Sequence, residues 1–277
     1  MSEVVSVSSE WLELREAEDG RARSPELAAA AATMLRATLY GAKPVVVHDL
    51  GSGTGSMMRW LAPRLPGPQT WVLHDWNADL IERAVDGARP VDADNRPVEV
   101  GSRIGDLAYL SAADLDGAAL VTASALLDVL TEQETEAIVR ACVATGTPAL
   151  LTLSVTGHAE LDPPDASDAR FERAFNAHQV RVASRRQLLG RFGVTTARQL
   201  FEGSGWHVRT TDTVWRLGDH EPQLLGEWFD GWVDAAAEHD AELAGESIRY
   251  RELRKAQLQR GELSAVIHHA DLLAWPR

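Results

Sequence analysis

Residues 44 to 58 read PVVVHDLGSGTGSMM, in which β-branched residues and an aspartate lead straight into glycines at 51, 53 and 55. Three alternate glycines carry a backbone-entropy cost that a plain turn does not require, so here main chain must approach something closely. The flanking pattern says what kind of fold holds such a loop. Strand-like PVVVHDL is followed by helix-like SMMRWLAPRL, stopped by Pro66 and Gly67. TWVLHD is a second strand, and NADLIERAVDGA is a helix with Asn77 as its cap. RPVEVGSRIGD, AALVTASALL and TPALLTLSV continue as third, fourth and fifth strands. The last two are separated by TEQETEAIVRACVATG, in which Thr131 and Glu134 form a capping-box pattern. Such alternation builds a doubly wound α/β sheet with helices on its faces.

Around that core the texture differs. SSEWLELREAEDGRAR and the alanine-rich SPELAAAAATMLRATLYG read as N-terminal helices, the second capped by Ser24 with Pro25 in its first turn. After residue 155, TGHAELDPPDASDARF carries turn and loop residues, and FERAFNAHQVRVASRRQLLG resumes a helical rhythm as an inserted lid. GSGWHVRTTDTVWRL and LSAVIHHADLLAW read as late strands. Between them, Leu224, Trp228 and Trp232 fall four apart on one helical face, a stripe expected to pack against apolar surface.

A glycine loop between strand and helix aims backbone N–H groups at a ligand beside the sheet's carboxyl edge. A P-loop is excluded, because Ser56 and Met57 follow Gly55 and no lysine is present to hold phosphates. A dinucleotide fingerprint fits less well, since the third glycine comes one position early and Ser56 stands where Gly or Ala is required. The run VVVHDLGSGTG resembles the first motif of the class I S-adenosylmethionine-dependent methyltransferases, and further motifs follow in register. The resemblance implies a Rossmann-like, doubly wound, seven-stranded mixed sheet with its last strand antiparallel between the fifth and sixth. A helical N-terminal region and helical insertions after strands 5 and 6 complete it. The implied division is a cap over 1–43, a cofactor-binding core over 44–155, and lid helices plus the closing strands over 156–277.

The same resemblance implies S-adenosyl-L-methionine as cofactor, with Gly51, Ser52, Gly53 and Gly55 against it. Asp75 would hold the ribose hydroxyls, as a carboxylate accepting two O–H bonds can. Asp106 with Leu107 would meet the adenine amino group, and Ser124 would face the cofactor from the fourth strand. Asp49 reads either as a water-mediated contact to the cofactor's amino end or as a brace for the loop's own N–H groups. Trp76 reads either as an adenine contact or as a shield for the sheet edge. Small-molecule members often carry His-His or Gln-Trp after the fourth strand, whereas Asp128 and Val129 stand here. A distant similarity to the trans-aconitate methyltransferases among them implies carboxyl O-methylation; O- or N-methylation of another metabolite fits equally.

Methyl transfer rests on holding nucleophile and methyl at attack distance, with a base needed only for a proton-bearing acceptor. The candidates for that base are Asp128, His158 and His178, while His268 and His269 read as packed within the last strand. Arg15, Arg21 and Arg23 could clamp a carboxylate, but with Glu13, Glu16 and Glu18 interleaved they read as a solvated helix face. A net charge of −14 repels a phosphate backbone and leaves a small-molecule acceptor rather than nucleic acid. The single cysteine, Cys142, excludes an internal disulfide or a cysteine-rich metal site, and reads as a core thiol. With no basic leader and no long apolar run, the expectation is a cytoplasmic protein without a membrane partner. Two other classes stay open: an NAD(P)-dependent oxidoreductase using the same loop, and a non-catalytic cofactor-binding partner protein.

Overall fold

The computed structural model describes residues 7–38, 44–183 and 186–277. Residues 1–6 and 39–43 of the expected cap lie outside them. Seven strands form one sheet: β1 (Val45–Leu50), β2 (Gln69–Asp75), β3 (Glu99–Ile104), β4 (Leu120–Ser124), β5 (Ala149–Asp162), β6 (His207–Leu217) and β7 (Ser264–Trp275). Their order is β3-β2-β1-β4-β5-β7-β6, parallel except that β7 runs antiparallel between β5 and β6. The order reverses between β1 and β4, and the crevice of a doubly wound sheet opens at such a switch point.

The helices form where the local chemistry starts and stops them. Ser8 caps α1 (Ser9–Ala22) by accepting from the Trp11 N–H, and the Ser24 hydroxyl accepts from the Leu27 N–H to start α2 (Pro25–Thr38). The glycine loop feeds α3 (Ser56–Leu61), and Asn77 caps α4 (Ala78–Asp86). The capping box of Thr131 and Glu134 opens α5 (Glu132–Thr145), which Gly146 ends in the left-handed region. Leu27, Met58, Leu61, Trp71 and Leu73 pack one face of the sheet; Leu50, Ile138, Cys142 and Phe201 pack the other. Burial pushes the Cys142 thiol up to about 12, so it stays an inert core group.

Beyond β5 the chain adds α6 (Asp168–Gln179), α7 (Gly193–Gly203), α8 (Pro222–His239) and α9 (Ala241–Gln259). The Trp228 and Trp232 stripe lies in a third apolar cluster with Phe171, Phe229 and Tyr250, which joins α6, α8 and α9 to β6 and β7. Two expectations differ. The stretch after residue 155 is not a loop, because β5 continues to Asp162 against β7. Gly157, at φ +85°, sits in a register shift between Val155 and Ala159, so it marks a bulge rather than a turn. The lid's helical rhythm stops at Gln179, and a two-residue pairing of Val182–Ala183 with Arg186–Gln187 follows. No helix among the described residues is long and apolar enough to cross a membrane.

Candidate functional site

The three glycines divide the work. Gly51, Gly53 and Gly55 have φ of +61°, +53° and +85°, the left-handed region that L side chains rarely adopt. A Cβ on Gly51 would stand 2.7 Å from Leu126 Cδ1, and one on Gly53 would stand 3.0 Å from Leu12 Cδ1. Gly55 faces away, toward Ala84 Cβ at 3.4 Å and Arg59 Nη1 at 3.3 Å, so it serves helix packing and does not line the crevice. The loop is tied to the end of β2, where Ser52 N–H donates to the His74 carbonyl (3.0 Å) and Gly53 N–H to Asp75 Oδ2 (2.9 Å).

Above this loop opens a crevice. It brings together Gly51, Gly53, Asp75, Trp76, Asp106, Leu107 and Ser124 from the sequence-predicted set. The Asp75 carboxylate is 6% exposed and held by two backbone donors, Gly53 N–H and Asn77 N–H, both at 2.9 Å. Each oxygen keeps a lone pair for the crevice, and the carboxylate cannot turn without losing a donor. Asn77, not Asp75, caps α4. Asp106 accepts from the Ala108 N–H at 2.9 Å, and Trp76 remains 44% exposed at the rim. The sequence reading missed Leu12, Leu126 and Leu130 in the walls, together with the Arg186–Glu134 pair, whose Nη2 reaches the two carboxylate oxygens at 2.9 and 2.7 Å. The Thr131–Glu134 capping box is visible in the sequence, but it says nothing of this second partner.

A narrower recess adjoins the crevice, sharing Leu12, Arg15, Gly51, Gly53 and Ser124 with it and adding Asp19, Asp49 and Ser52. Asp49 accepts from the Thr122 hydroxyl at 2.7 Å, while its Oδ2 has no hydrogen-bond partner among the described residues. Burial pushes Asp49 up to about 7, with Thr122 and Arg23 opposing and the Asp75 charge adding to the rise. Arg23 is 1% exposed and donates to Ser56 Oγ at 2.8 Å and to Ser124 Oγ at 3.0 and 3.3 Å. Asp19 lies 3.4 Å from Arg15 Nε and 3.8 Å from Arg23 Nη2; burial nonetheless raises its pKa and lowers that of Arg23. The solvated-face reading therefore holds for Arg21, whose exposed guanidinium pairs with Glu221 and with the buried Glu18, and fails for Arg15 and Arg23. The available signal is spacing: 15, 19 and 23 fall four apart, on one helical face.

Asp128 sits on the 3₁₀ turn after β4, behind the crevice lining that its neighbours Leu126 and Val129 supply, with Oδ1 unpartnered among the described residues. Burial raises its pKa, against the pull of Arg15. His269, from β7, packs on Trp215 with ring centroids 5.5 Å apart; burial pushes it down to about 4, and Arg15 adds to the shift. His158 and His178 stand apart from the crevice lining. His158 is exposed on β5 with Nδ1 2.8 Å from Glu172, and His178 closes α6 with Nε2 3.2 Å from Glu238. Burial lowers the His178 pKa.

No protein-family profile matches this sequence, and no curated protein does. The chain is distantly similar to several solved structures. The YcgJ protein of Bacillus subtilis is 13% identical over 90% of this chain and 98% of that one, with a TM-score of 0.45. A SAM-dependent methyltransferase from Thiobacillus denitrificans, solved with S-adenosyl-L-homocysteine, is 16% identical over 99% and 100%, with a TM-score of 0.44. The cyclopropane synthase MmaA2 of Mycobacterium tuberculosis is 13% identical over 90% and 82%, also with a TM-score of 0.44. Likeness at this distance leaves the chemistry to the crevice itself.

Proposed function

We propose that this chain is an S-adenosylmethionine-dependent methyltransferase acting on a small-molecule acceptor. The observation that carries the reading is the order of groups along the crevice. Trp76, Asp106 and Leu107 offer a rim for a purine, Asp75 offers two fixed acceptors for a vicinal diol, and the recess holds Arg15 3.4 Å from Asp19, with Asp49 in the same lining. Both signs of charge in one recess suit the zwitterionic end of an amino acid. They do not suit a dinucleotide, whose two phosphates would lie among Asp19, Asp49 and Asp75.

When bound, the cofactor supplies a methyl group made electrophilic by its sulfonium. The chain's part is to hold the acceptor in line with that methyl and to keep water out, for which Leu12, Leu126 and Leu130 supply an apolar lining. Asp128 is the group we assign to accept a proton, because its Oδ1 is free among the described residues, burial raises its pKa, and it stands in the turn whose Leu126, Val129 and Leu130 line the crevice. A group placed to take a proton suits a hydroxyl or ammonium acceptor, since a carboxylate acceptor has none to give.

Calorimetry with S-adenosylhomocysteine beside NADH tests the cofactor, and the expected result is binding of the first alone. Binding of NADH alone would replace this reading with an oxidoreductase. Mass spectrometry of metabolite extracts incubated with the protein and a methyl-labelled donor should then show a labelled product. Cofactor binding with no product across a broad acceptor panel would point to a non-catalytic partner protein.

A further inference from the structure

On the face of the β5–β7 ladder away from the buried His269, three side chains converge that the proposed reaction does not use. His158 and Glu160 are two apart on β5 and so point to the same side. The register shift between Val155 and Ala159 brings His268 of β7 alongside them, with the Thr156 hydroxyl donating to the His268 carbonyl at 3.1 Å. Glu160 Oε1 lies 3.0 Å from His268 Nε2 and 3.4 Å from His158 Nε2, and one ligand atom from each residue falls within 4.8 Å of the others. We propose that His158, Glu160 and His268 form a divalent-cation site of the Zn²⁺ type, supported by Glu172 of α6.

Two of the three ligand-to-ligand distances match the chemistry, and the third, between the two imidazoles, is at most 4.8 Å. A tetrahedral site with bonds of about 2.0–2.1 Å has ligand-to-ligand edges of roughly 3.3 Å, close to the two spacings seen. The support is the second argument. His158 Nδ1 is 2.8 Å from Glu172 Oε1, and that same oxygen is fixed by the Ala159 N–H at 2.9 Å. A neutral imidazole has one N–H. Given to Glu172, it leaves the Nε2 lone pair facing the Glu160 oxygen, acceptor against acceptor, and a cation between them resolves the conflict. A carboxylate gripping the far nitrogen of a ligating histidine is the usual way such a ring is aimed. A set of exposed ion pairs alone would contribute little to holding three side chains on one point. Two imidazoles and one carboxylate select Zn²⁺ and its neighbours over Mg²⁺ or Ca²⁺, which prefer all-oxygen sets. Three protein ligands leave a fourth position for water. The ion would fasten β5, past its bulge, to β7 and through Glu172 to α6.

The test uses the untagged full chain after treatment with a chelator. Zn²⁺ alone is titrated in competition with a chromophoric chelator, and melting is followed with and without it. One equivalent should bind with a dissociation constant of about 1 μM or tighter, and saturation should raise the melting midpoint by roughly 2–5 °C. Mg²⁺ at the same concentration should do neither. H268A and E160Q should each bind at least about tenfold more weakly, with E172Q losing about tenfold through the aim of His158. H207A, outside the cluster, should bind as wild type does. If H268A fails to fold, H268Q supplies the same comparison. Affinity weaker than about 100 μM, or an equivalent that survives loss of His268, would overturn the proposal.

Discussion

Asp75→Asn is the substitution that most directly questions the crevice. The carboxylate accepts from two backbone N–H groups that arrive on different oxygens, Gly53 on Oδ2 and Asn77 on Oδ1. An amide of the same shape has one acceptor oxygen, so its NH₂ must face one of those donors. The protein should lose about 1–3 kcal/mol of stability from that mismatch. Ligand binding should suffer more, because two hydroxyls donating to a carboxylate contribute about 1.5–3 kcal/mol each. Loss of both is roughly 3–6 kcal/mol, or about 10²- to 10⁴-fold in the dissociation constant of S-adenosylhomocysteine. Calorimetry measures the affinity, and a thermal melt confirms that the variant is folded at the assay temperature. The 2′-deoxy analogue makes the test specific: wild type should discriminate strongly against it, and the variant hardly at all. A folded Asp75→Asn protein whose affinity stays within about threefold of wild type would refute the ribose role.

Gly51→Ala should cost about 2–4 kcal/mol, since a left-handed φ is joined by a contact 2.7 Å from a Leu126 methyl that would be pushed into the crevice. Gly117→Ala, at φ +76° with nothing within 4 Å, should cost only about 1–2 kcal/mol; equal losses in denaturant melts would show that crowding plays no part. Asp49, raised from 3.8 to about 7, favours the folded state when protonated, so its contribution is fully present below about pH 4 and falls by roughly 4 kcal/mol as the pH rises to about 7. Asp49→Asn should therefore be more stable than wild type at pH 8 while binding S-adenosylhomocysteine more weakly, and a variant that binds as wild type does would remove Asp49 from the site. His48 and His74 lie 2.9 Å apart, nitrogen to nitrogen, and burial pushes both down to about 4. Their stabilisation is present above about pH 6.5 and is lost as the pH falls through about 4, by roughly 3 kcal/mol per ring. His74→Gln should flatten that acid limb in melts between pH 4 and 6.5, and an unchanged slope would exclude the pair as its cause.

What could be read from the chain followed local rules. The strand, glycine and helix sequence around Gly51, the Asn77 cap and the Thr131–Glu134 box depend on residues within a few positions of one another, and each appears where the pattern put it. The continuation of β5 did not follow such rules. His158, Glu160 and Asp162 alternate with Gly157, Ala159 and Leu161, yet the nearby prolines and glycine imitate a loop, and only pairing with β7, more than a hundred residues later, makes the stretch a strand. The same holds for Leu126 and Arg186, which reach the crevice through the way β4 and the lid segment pack, not through any motif.

The recess shows most plainly why charge patterns mislead. Arg23 stands in a sequence crowded with glutamates, yet it is buried among Ser56, Ser124 and Asp19 because Glu16 and Glu18 fasten α1 over the loop. Glu16 pairs with Arg59 at 2.5 and 2.7 Å, and Glu18 accepts from the Arg216 N–H at 2.8 Å. Burying a guanidinium and two carboxylates costs several kcal/mol per ion unless every lone pair and proton is satisfied. Here they are not: Asp19 Oδ1, Arg23 Nη1, Asp49 Oδ2 and Ser52 Oγ all lack a hydrogen-bond partner among the described residues. A folded core with no further task would be expected to shed such groups, since unsatisfied buried atoms are few in native proteins. Asp19, Asp49 and Ser52 line the recess, and Arg23 reaches its Ser56 and Ser124. On the proposed function, their unmet hydrogen bonds would be completed by a ligand end that carries both an ammonium and a carboxylate.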